Sequence, residues 1–185
     1  MIMIMVKGIN EITYVKKNCV MFNSYCKNEN VVLSNLYDKC NIKFEGMTFH
    51  SSEQLFFYLL LEDCEEGRNK IMSCQTAKEC KKIGSRYLKK MGWDDSNEVC
   101  QRAEVQALRF AIGLKMRYCE EFRNLVLASG DRKIVEYAWW GDNDYGVVDL
   151  DEGNKFNYYK GEVRGRNIAG RLIMEWRKKY REQLN

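Results

Sequence analysis

The sequence predicts an α+β fold, mostly helical, with one small β-sheet. Three observations lead there. Ser/Thr-x-x-Gln/Glu capping boxes at 51–54 and 76–79 each open a run of apolar residues at helical spacing. Apolar periodicity returns across 99–126 and again across 168–180. Runs of β-branched and aromatic residues, by contrast, are confined to short stretches near 11–22 and 133–140. With 185 residues, 45% hydrophobic and 30% charged, the chain has the composition and length of one globular domain spanning 1–185. Proline is absent, and no Gly/Ser-rich linker or repeat divides it.

Taken in order, EITYVKKNCVMF at 11–22 reads as two short β segments around a polar turn at Lys16–Asn18. Ser51 and Gln54 start a largely buried helix carrying Leu55, Phe56, Leu59 and Leu60 to about Asp63. Thr76 and Glu79 start a second, with Cys80, Ile83, Gly84, Tyr87, Leu88 and Met91 on one face and Gly92 placed to end it. A long helix follows from near Ser96 through Met116, and a shorter one ends before Ser129–Gly130. Lys133–Trp140 reads as a strand, and Asn167 as the cap of a last helix bearing Ile168, Leu172, Ile173, Trp176 and Tyr180.

Several function classes fall away. The net charge of +4 comes from 30 basic and 26 acidic residues intermixed along the chain, too small and dispersed to mark a nucleic-acid groove by itself. The eight cysteines form no CxxC pair, which argues for free thiols in a reducing cytosol over structural zinc. The opening MIMIMV is too short and lacks the flanks of a signal peptide, and no window reaches the roughly 20 apolar residues needed to span a bilayer. A soluble, cytoplasmic protein that makes no membrane contact is expected. No Walker loop, GxGxxG, HExxH or GxSxG motif occurs. The lone histidine, His50, stands just before a helix cap, where a surface role is the commoner outcome.

What remains is a series of segments in order: LSNLY at 33–37, FEGMTFHSSEQLFF at 44–57, IVEYAWWGDNDYG at 134–146 and GRNIAG at 165–170. An LSN, a (D/E)G turn, an SxEQ helix start, an LVE followed by DxxWG, and a G(R/K)NxxG turn before an LMxxR helix follow one another in the same way in the NADAR superfamily, the riboflavin-biosynthesis-intermediate N-glycosidase and ADP-ribosyl-guanine glycohydrolase-like proteins. The chain resembles that family from about Phe22 to Arg177. Each motif alone is weak; all of them in order are specific.

The resemblance implies an N-glycosidase with a pocket for a ribose phosphate and a heterocycle. Such chemistry passes through an oxocarbenium-like transition state, which calls for one carboxylate to activate water or stabilise positive charge and another group to protonate the leaving nitrogen. Glu53, matching the family's helix-opening glutamate, is the first choice for that carboxylate, although a glutamate in a first helical turn is also favoured by the helix dipole. Asp142 is the second, set against an ordinary polar turn. Tyr145 and Gly146 match DxxWG after one extra residue, with tyrosine where tryptophan is usual. By the same resemblance Asn35, Glu45, Gly46, Ser52, Trp93 and Glu136 bind substrate, while turn formation, core packing and strand pairing are their plainer roles. Arg166 and Asn167, at the start of the last helix, form a candidate phosphate site, with helix capping by Asn167 as the simpler account.

Two positions depart from the pattern. Many family members carry a lysine seven residues after the helix-opening glutamate; here it is Leu60, so another cation such as Arg86, Lys115 or Arg166 must serve, or the activity differs. Ser85 stands in place of the arginine of the family's GR pair. The resemblance allows phosphoribosylamino-pyrimidine intermediates of riboflavin synthesis as substrate, or ADP-ribose attached to guanine in nucleotides or nucleic acid. No cofactor and no metal is expected. A catalytically silent protein that sequesters a nucleotide signal is the alternative, and an interaction protein using the aromatics around Trp139 and Trp140 is the third reading.

Overall fold

The computed structural model describes residues 10–184; the opening MIMIMV, read above as no signal peptide, lies outside them. The observed class is α+β with helix predominating, as the periodicity predicts. Contacts gather the described residues into two compact units, 35–120 and 10–34 with 121–184. Each is built on its own set of polar constraints.

The first unit consists of a hairpin and four helices. Strands β3 (Ile42–Phe44) and β4 (Met47–Phe49) pair antiparallel, a hairpin too short to show in the pattern. Helix α1 (Ser52–Leu60) starts where the capping box places it, since Ser51 Oγ accepts the Gln54 N–H at 3.1 Å. The reciprocal bond reaches one residue further back than the motif implies: Gln54 Oε1 accepts the N–H of His50 at 2.9 Å. Helix α3 (Ala77–Lys90) repeats this arrangement, with Thr76 accepting from the Glu79 N–H at 3.2 Å and the Glu79 carboxylate accepting from Gln75 at 2.9 Å.

Between them lies α2 (Glu65–Ser73), which the sequence does not announce because its nine residues EEGRNKIMS are mostly polar; Ile71 and Gly67 are its buried positions. Helix α4 (Glu98–Tyr118) is capped by Asn97. Helix α1 packs on both α3 and α4. The α1–α3 approach is close enough that a Cβ on Gly84 would run into the Phe57 ring, so only glycine fits there.

The second unit carries a three-stranded antiparallel sheet in the order β1 (Ile12–Val15), β7 (Glu162–Gly165), β6 (Val148–Asp149), and a parallel pair of β2 (Cys19–Phe22) with β5 (Lys133–Glu136). Helix α5 (Glu120–Ala128) precedes β5, and α6 (Ile168–Leu184) closes the chain against it. Tyr14, Met21, Val135, Tyr137, Val147 and Val163 form this unit's apolar cluster. Strand β5 is shorter than the 133–140 expected: Tyr137 makes a single bridge to Val147, and the chain then turns so that Gly141 N–H meets Ala138 O at 3.0 Å.

Lys16, expected in a polar turn, is instead 0% exposed. Its ammonium pairs with Asp149, donates to the carbonyls of Asn154 (3.0 Å) and Asn157 (2.7 Å), and sits 4.5 Å from the centre of the Tyr137 ring. Tyr137 Oη donates to Asp149 and accepts the Phe156 N–H at 2.7 Å. A buried ion survives folding only with such a complete set of partners. Replacing Lys16 with Met leaves the Asp149 carboxylate buried without its cation and is expected to cost about 3–5 kcal/mol. Urea unfolding of the single variant and of Lys16→Met/Asp149→Leu measures this; the double variant should recover part of the loss, and an unchanged midpoint for the single variant would contradict it.

Candidate active site

Glu53 lies in the first turn of α1 and is 9% exposed, in a helix whose neighbouring positions Ser52, Gln54 and Leu55 are buried as well. Its backbone N–H donates to the Asn35 carbonyl at 3.2 Å, and Ser52 Oγ lies 3.0 Å from Asn35 Oδ1. The LSN segment and the SSEQ turn, predicted separately as site elements, are therefore joined. Burial pushes the Glu53 carboxyl above its ordinary range, and the charges of Lys81 and Lys115 pull it back only in part.

Lys115 is the residue that the sequence reading missed as a site group, naming it only as one possible substitute cation. It is 0% exposed on α4. Burial lowers its pKa, opposed by nearby Cys40, Cys119 and Glu53, and its Nζ stands 5.7 Å from the centre of the Tyr37 ring. The signal was present: Leu108, Ala111, Ile112, Met116 and Cys119 make one apolar helix face, and a lysine at 115 falls in the middle of it. Burial thus biases both members of the pair toward their neutral forms, while each favours the charged form of the other.

A second constellation occupies the other unit. Asp142 Oδ1 accepts the backbone N–H groups of Asp144 (3.1 Å) and Tyr145 (3.0 Å), so the carboxylate shapes the 142–146 turn. Gly146 is held where a Cβ would come within 2.8 Å of the Glu136 carbonyl and of Ala138 Cβ. The carbonyls of that turn take up the start of α6: Arg166 N–H donates to Asn143 O (2.7 Å), Asn167 to Gly146 (3.1 Å), Ile168 to Asp144 (3.1 Å) and Ala169 to Tyr145 (3.1 Å).

This corrects the expected phosphate cradle, because the N–H groups at this helix start already have carbonyl acceptors. Asn167 is corrected too. Its side chain does not cap α6 but clamps β5, with Nδ2 donating to Ile134 O at 3.0 Å and Oδ1 accepting the Glu136 N–H at 3.0 Å. The residue is fully buried and adopts a left-handed conformation, φ 52°. The Arg166 guanidinium is part-exposed, 3.2 Å from the Asp144 carboxylate.

The other expected residues lie elsewhere. Glu45 and Gly46 form the exposed tip of the β3–β4 hairpin, with φ of 49° and 76°. Trp93 follows α3 and donates from Nε1 to Glu104 on α4 at 2.8 Å, a tie between two helices. Leu60 is buried on α1, and Ser85 and Arg86 are exposed on α3. Arg177, the arginine of the LMxxR segment, donates to Ser129 Oγ (2.6 Å) and Arg132 O (2.9 Å) in the second unit. Among the described residues no three His, Cys, Asp or Glu side chains are grouped to hold a metal ion, and no helix is long and apolar enough to cross a membrane.

A mainly helical α+β chain that opens α1 on a buried glutamate is the class of protein to which the motif order pointed. The NADAR domain family matches residues 21–181, and the chain belongs to it. It is similar to the N-glycosidase YbiA of Escherichia coli K12, 29% identical over 142 residues that cover 74% of this chain and 73% of that protein. The NMR structure of the E. coli protein YbiA has the same fold, with a TM-score of 0.64 and 24% identity over 90% of this chain and 88% of that one.

The displaced Glu53 carboxyl has a thermodynamic consequence. A carboxyl whose pKa is higher in the folded than in the unfolded chain keeps its proton longer when folded. Its favourable contribution is full below the ordinary value of 4.5 and is lost as pH rises through the folded value. Glu53→Gln should therefore gain stability relative to the parent as pH climbs through the acid range, then hold a constant advantage. Urea unfolding of both proteins from about pH 4 to pH 8 reads this; a difference that does not change with pH would show that Glu53 titrates normally.

Proposed function

We propose that this chain is an N-glycoside hydrolase that cleaves the bond between a base or amine and a phosphorylated ribose, on an ADP-ribose-type or phosphoribosylamino-pyrimidine substrate. The observation that carries the reading is the buried Glu53 carboxyl in the field of the buried Lys115 ammonium. The likeness to a protein named as an N-glycosidase supports the same class of reaction.

In this reading Glu53 takes a proton from the attacking water, or faces the positive charge that develops as the anomeric carbon–nitrogen bond stretches. Lys115 balances the carboxylate, and its lowered pKa suits it to deliver a proton to the departing nitrogen. It also supplies the cation that Leu60 removes from the family pattern. Asp142 serves by fixing the turn that carries Tyr145, whose ring offers a stacking face for the heterocycle. Arg166 offers its guanidinium to the phosphate. These roles require side chains alone, and no metal enters the proposed reaction. A second reading, a silent binding protein, is favoured by Leu60 and Ser85 standing where the family has cations.

Glu53→Gln separates the two readings. It keeps the shape and removes the charge, so hydrolysis of an ADP-ribosylated guanine nucleotide or a phosphoribosylamino-pyrimidine should be abolished while binding persists. Hydrolysis at the parent rate would remove Glu53 from the chemistry. Arg166→Ala should weaken ADP-ribose binding by roughly 1.5–3 kcal/mol, with Arg166→Lys intermediate because lysine keeps the charge but lacks the bidentate fork. Calorimetric titration of the three proteins decides it; equal affinities would take Arg166 out of the site.

A further inference from the structure

Helix α3 carries a surface that the proposed hydrolysis does not use. The chain's excess of positive charge is dispersed along the sequence, yet folding gathers a dense group of cations on this one helix. Between positions 78 and 90 the exposed side chains are Lys78, Lys81, Lys82, Arg86, Lys89 and Lys90, joined by Glu79 and Ser85. They stand in two rows: Lys78, Lys82, Arg86 and Lys90 at every fourth position, and Lys81, Ser85 and Lys89 beside them. At about 1.5 Å per residue the stripe is about 18 Å long. The other face, with Ala77, Cys80, Gly84, Tyr87 and Leu88, is buried, and α3 packs on α1 and α2. The stripe therefore faces outward.

Local helix energetics do not favour this arrangement. On other helices exposed cations stand one turn from an acid, as Arg102 does from Glu98 and Lys179 from Glu175, each pair at 2.6 Å. On α3 the residues one turn apart are cations themselves, so Lys78 and Lys82, Lys82 and Arg86, and Arg86 and Lys90 repel. Lys78 also lies in the first turn, where the helix dipole disfavours positive charge. The acid of the helix, Glu79, has its carboxylate in the cap, on the Gln75 N–H at 2.9 Å. Glu66 of α2 meets the buried flank instead, accepting from Tyr87 Oη at 2.6 Å. Arg86 and Lys90 stand 5.8 and 5.1 Å from the centre of the Tyr87 ring.

We propose that the exposed face of α3 is a docking surface for the phosphate backbone of duplex DNA, bound without regard to sequence. Charge complementarity selects the partner. Duplex DNA carries one negative charge per about 1.7 Å of its axis, and each phosphate met by a cation releases condensed counterions. The make-up of the face turns away two other polyanionic partners. No exposed residue of 78–90 is aromatic, so the bases of a single strand find no stacking platform. None is apolar, and the apolar face is already packed, so nothing enters a lipid surface. Contacts from such a face to phosphates position the duplex and carry no sequence information. Docking is independent of any reaction at Glu53.

Fluorescence anisotropy of the whole protein with a labelled duplex of about 20 base pairs, from about 50 to 200 mM salt, tests this. The parent should bind, with log K falling against log salt by about 0.9 for each phosphate engaged. Lys82→Gln/Arg86→Gln/Lys89→Gln should flatten that slope by about 2.7 and weaken binding at low salt on the order of a hundredfold. Lys81 is left in place because its charge is felt at Glu53. The single variant Lys82→Gln, which disturbs the helix least, should flatten the slope by about 0.9. Lys27→Gln/Lys155→Gln/Lys160→Gln makes the same change of net charge at exposed positions of the other unit and should bind as the parent does. An equal loss in this control would reduce the effect to net charge and overturn the docking face. So would a parent that does not bind the duplex, or α3 variants that keep the parent's slope. Tighter binding to a single strand of the same length, or binding to phosphatidylserine vesicles and not to the duplex, would overturn the choice of partner.

Discussion

A carboxylate kept away from water is the constraint around which the first unit is organised. Glu53 is buried while Lys81 and Lys115 offset part of the cost of desolvation, and the side chains beside it in the turn have partners of their own. Ser51 accepts from Gln54; Asn35 accepts from Glu53 and Ser52; Gln54 reaches back to His50 and across to Ile71. Gly84 then lets α3 come up against Phe57, on the same helix. The result is a stiff apolar frame around one carboxyl, the form in which a group with a displaced pKa can be held ready for proton transfer.

The second unit follows the same logic with different residues. Lys16 is neutralised by Asp149 and held by two carbonyls, and Tyr137 ties that pair to the 150s segment through the Phe156 N–H. Asn167 takes a left-handed backbone, and its amide bonds two backbone groups of β5, the Ile134 carbonyl and the Glu136 N–H, while the turn opened by Asp142 covers the head of α6. The family motifs in this unit, read from sequence as ligand contacts, thus have a prior structural duty. Asp142 and Asn167 hold backbone, and Arg166 pairs with the Asp144 carboxylate.

Local chemistry was legible in the sequence and distant partnership was not. Both capping boxes, the helix over 77–90 and the start of the long helix at Asn97 depend on residues a few positions apart, and the structure has them within a residue or two. The β3–β4 hairpin and α2 escaped because three-residue strands and a polar nine-residue helix leave no period to detect. Lys16 was misplaced for another reason: its counter-ion lies 133 residues away, and no local pattern announces a buried lysine. Glu53 was singled out through the motif order. Lys115 could have been found from the helix face alone, since a cation surrounded by Ile112, Ala111 and Met116 must have a reason to be there.

The family lysine replaced by Leu60 need not leave the site without positive charge. The charge of Lys115, on another helix, is felt by the Glu53 carboxyl, and burial lowers the lysine's pKa. Whether that pair breaks a bond or only holds a ligand is decided most directly by product analysis in heavy-oxygen water. ADP-ribosylated guanine nucleotide and a phosphoribosylamino-pyrimidine are each incubated with the protein, and the products are weighed by mass spectrometry. The account predicts a free base or amine and a ribose phosphate carrying one heavy oxygen at the anomeric carbon. Recovery of both compounds intact, from a protein shown to bind them, would contradict it.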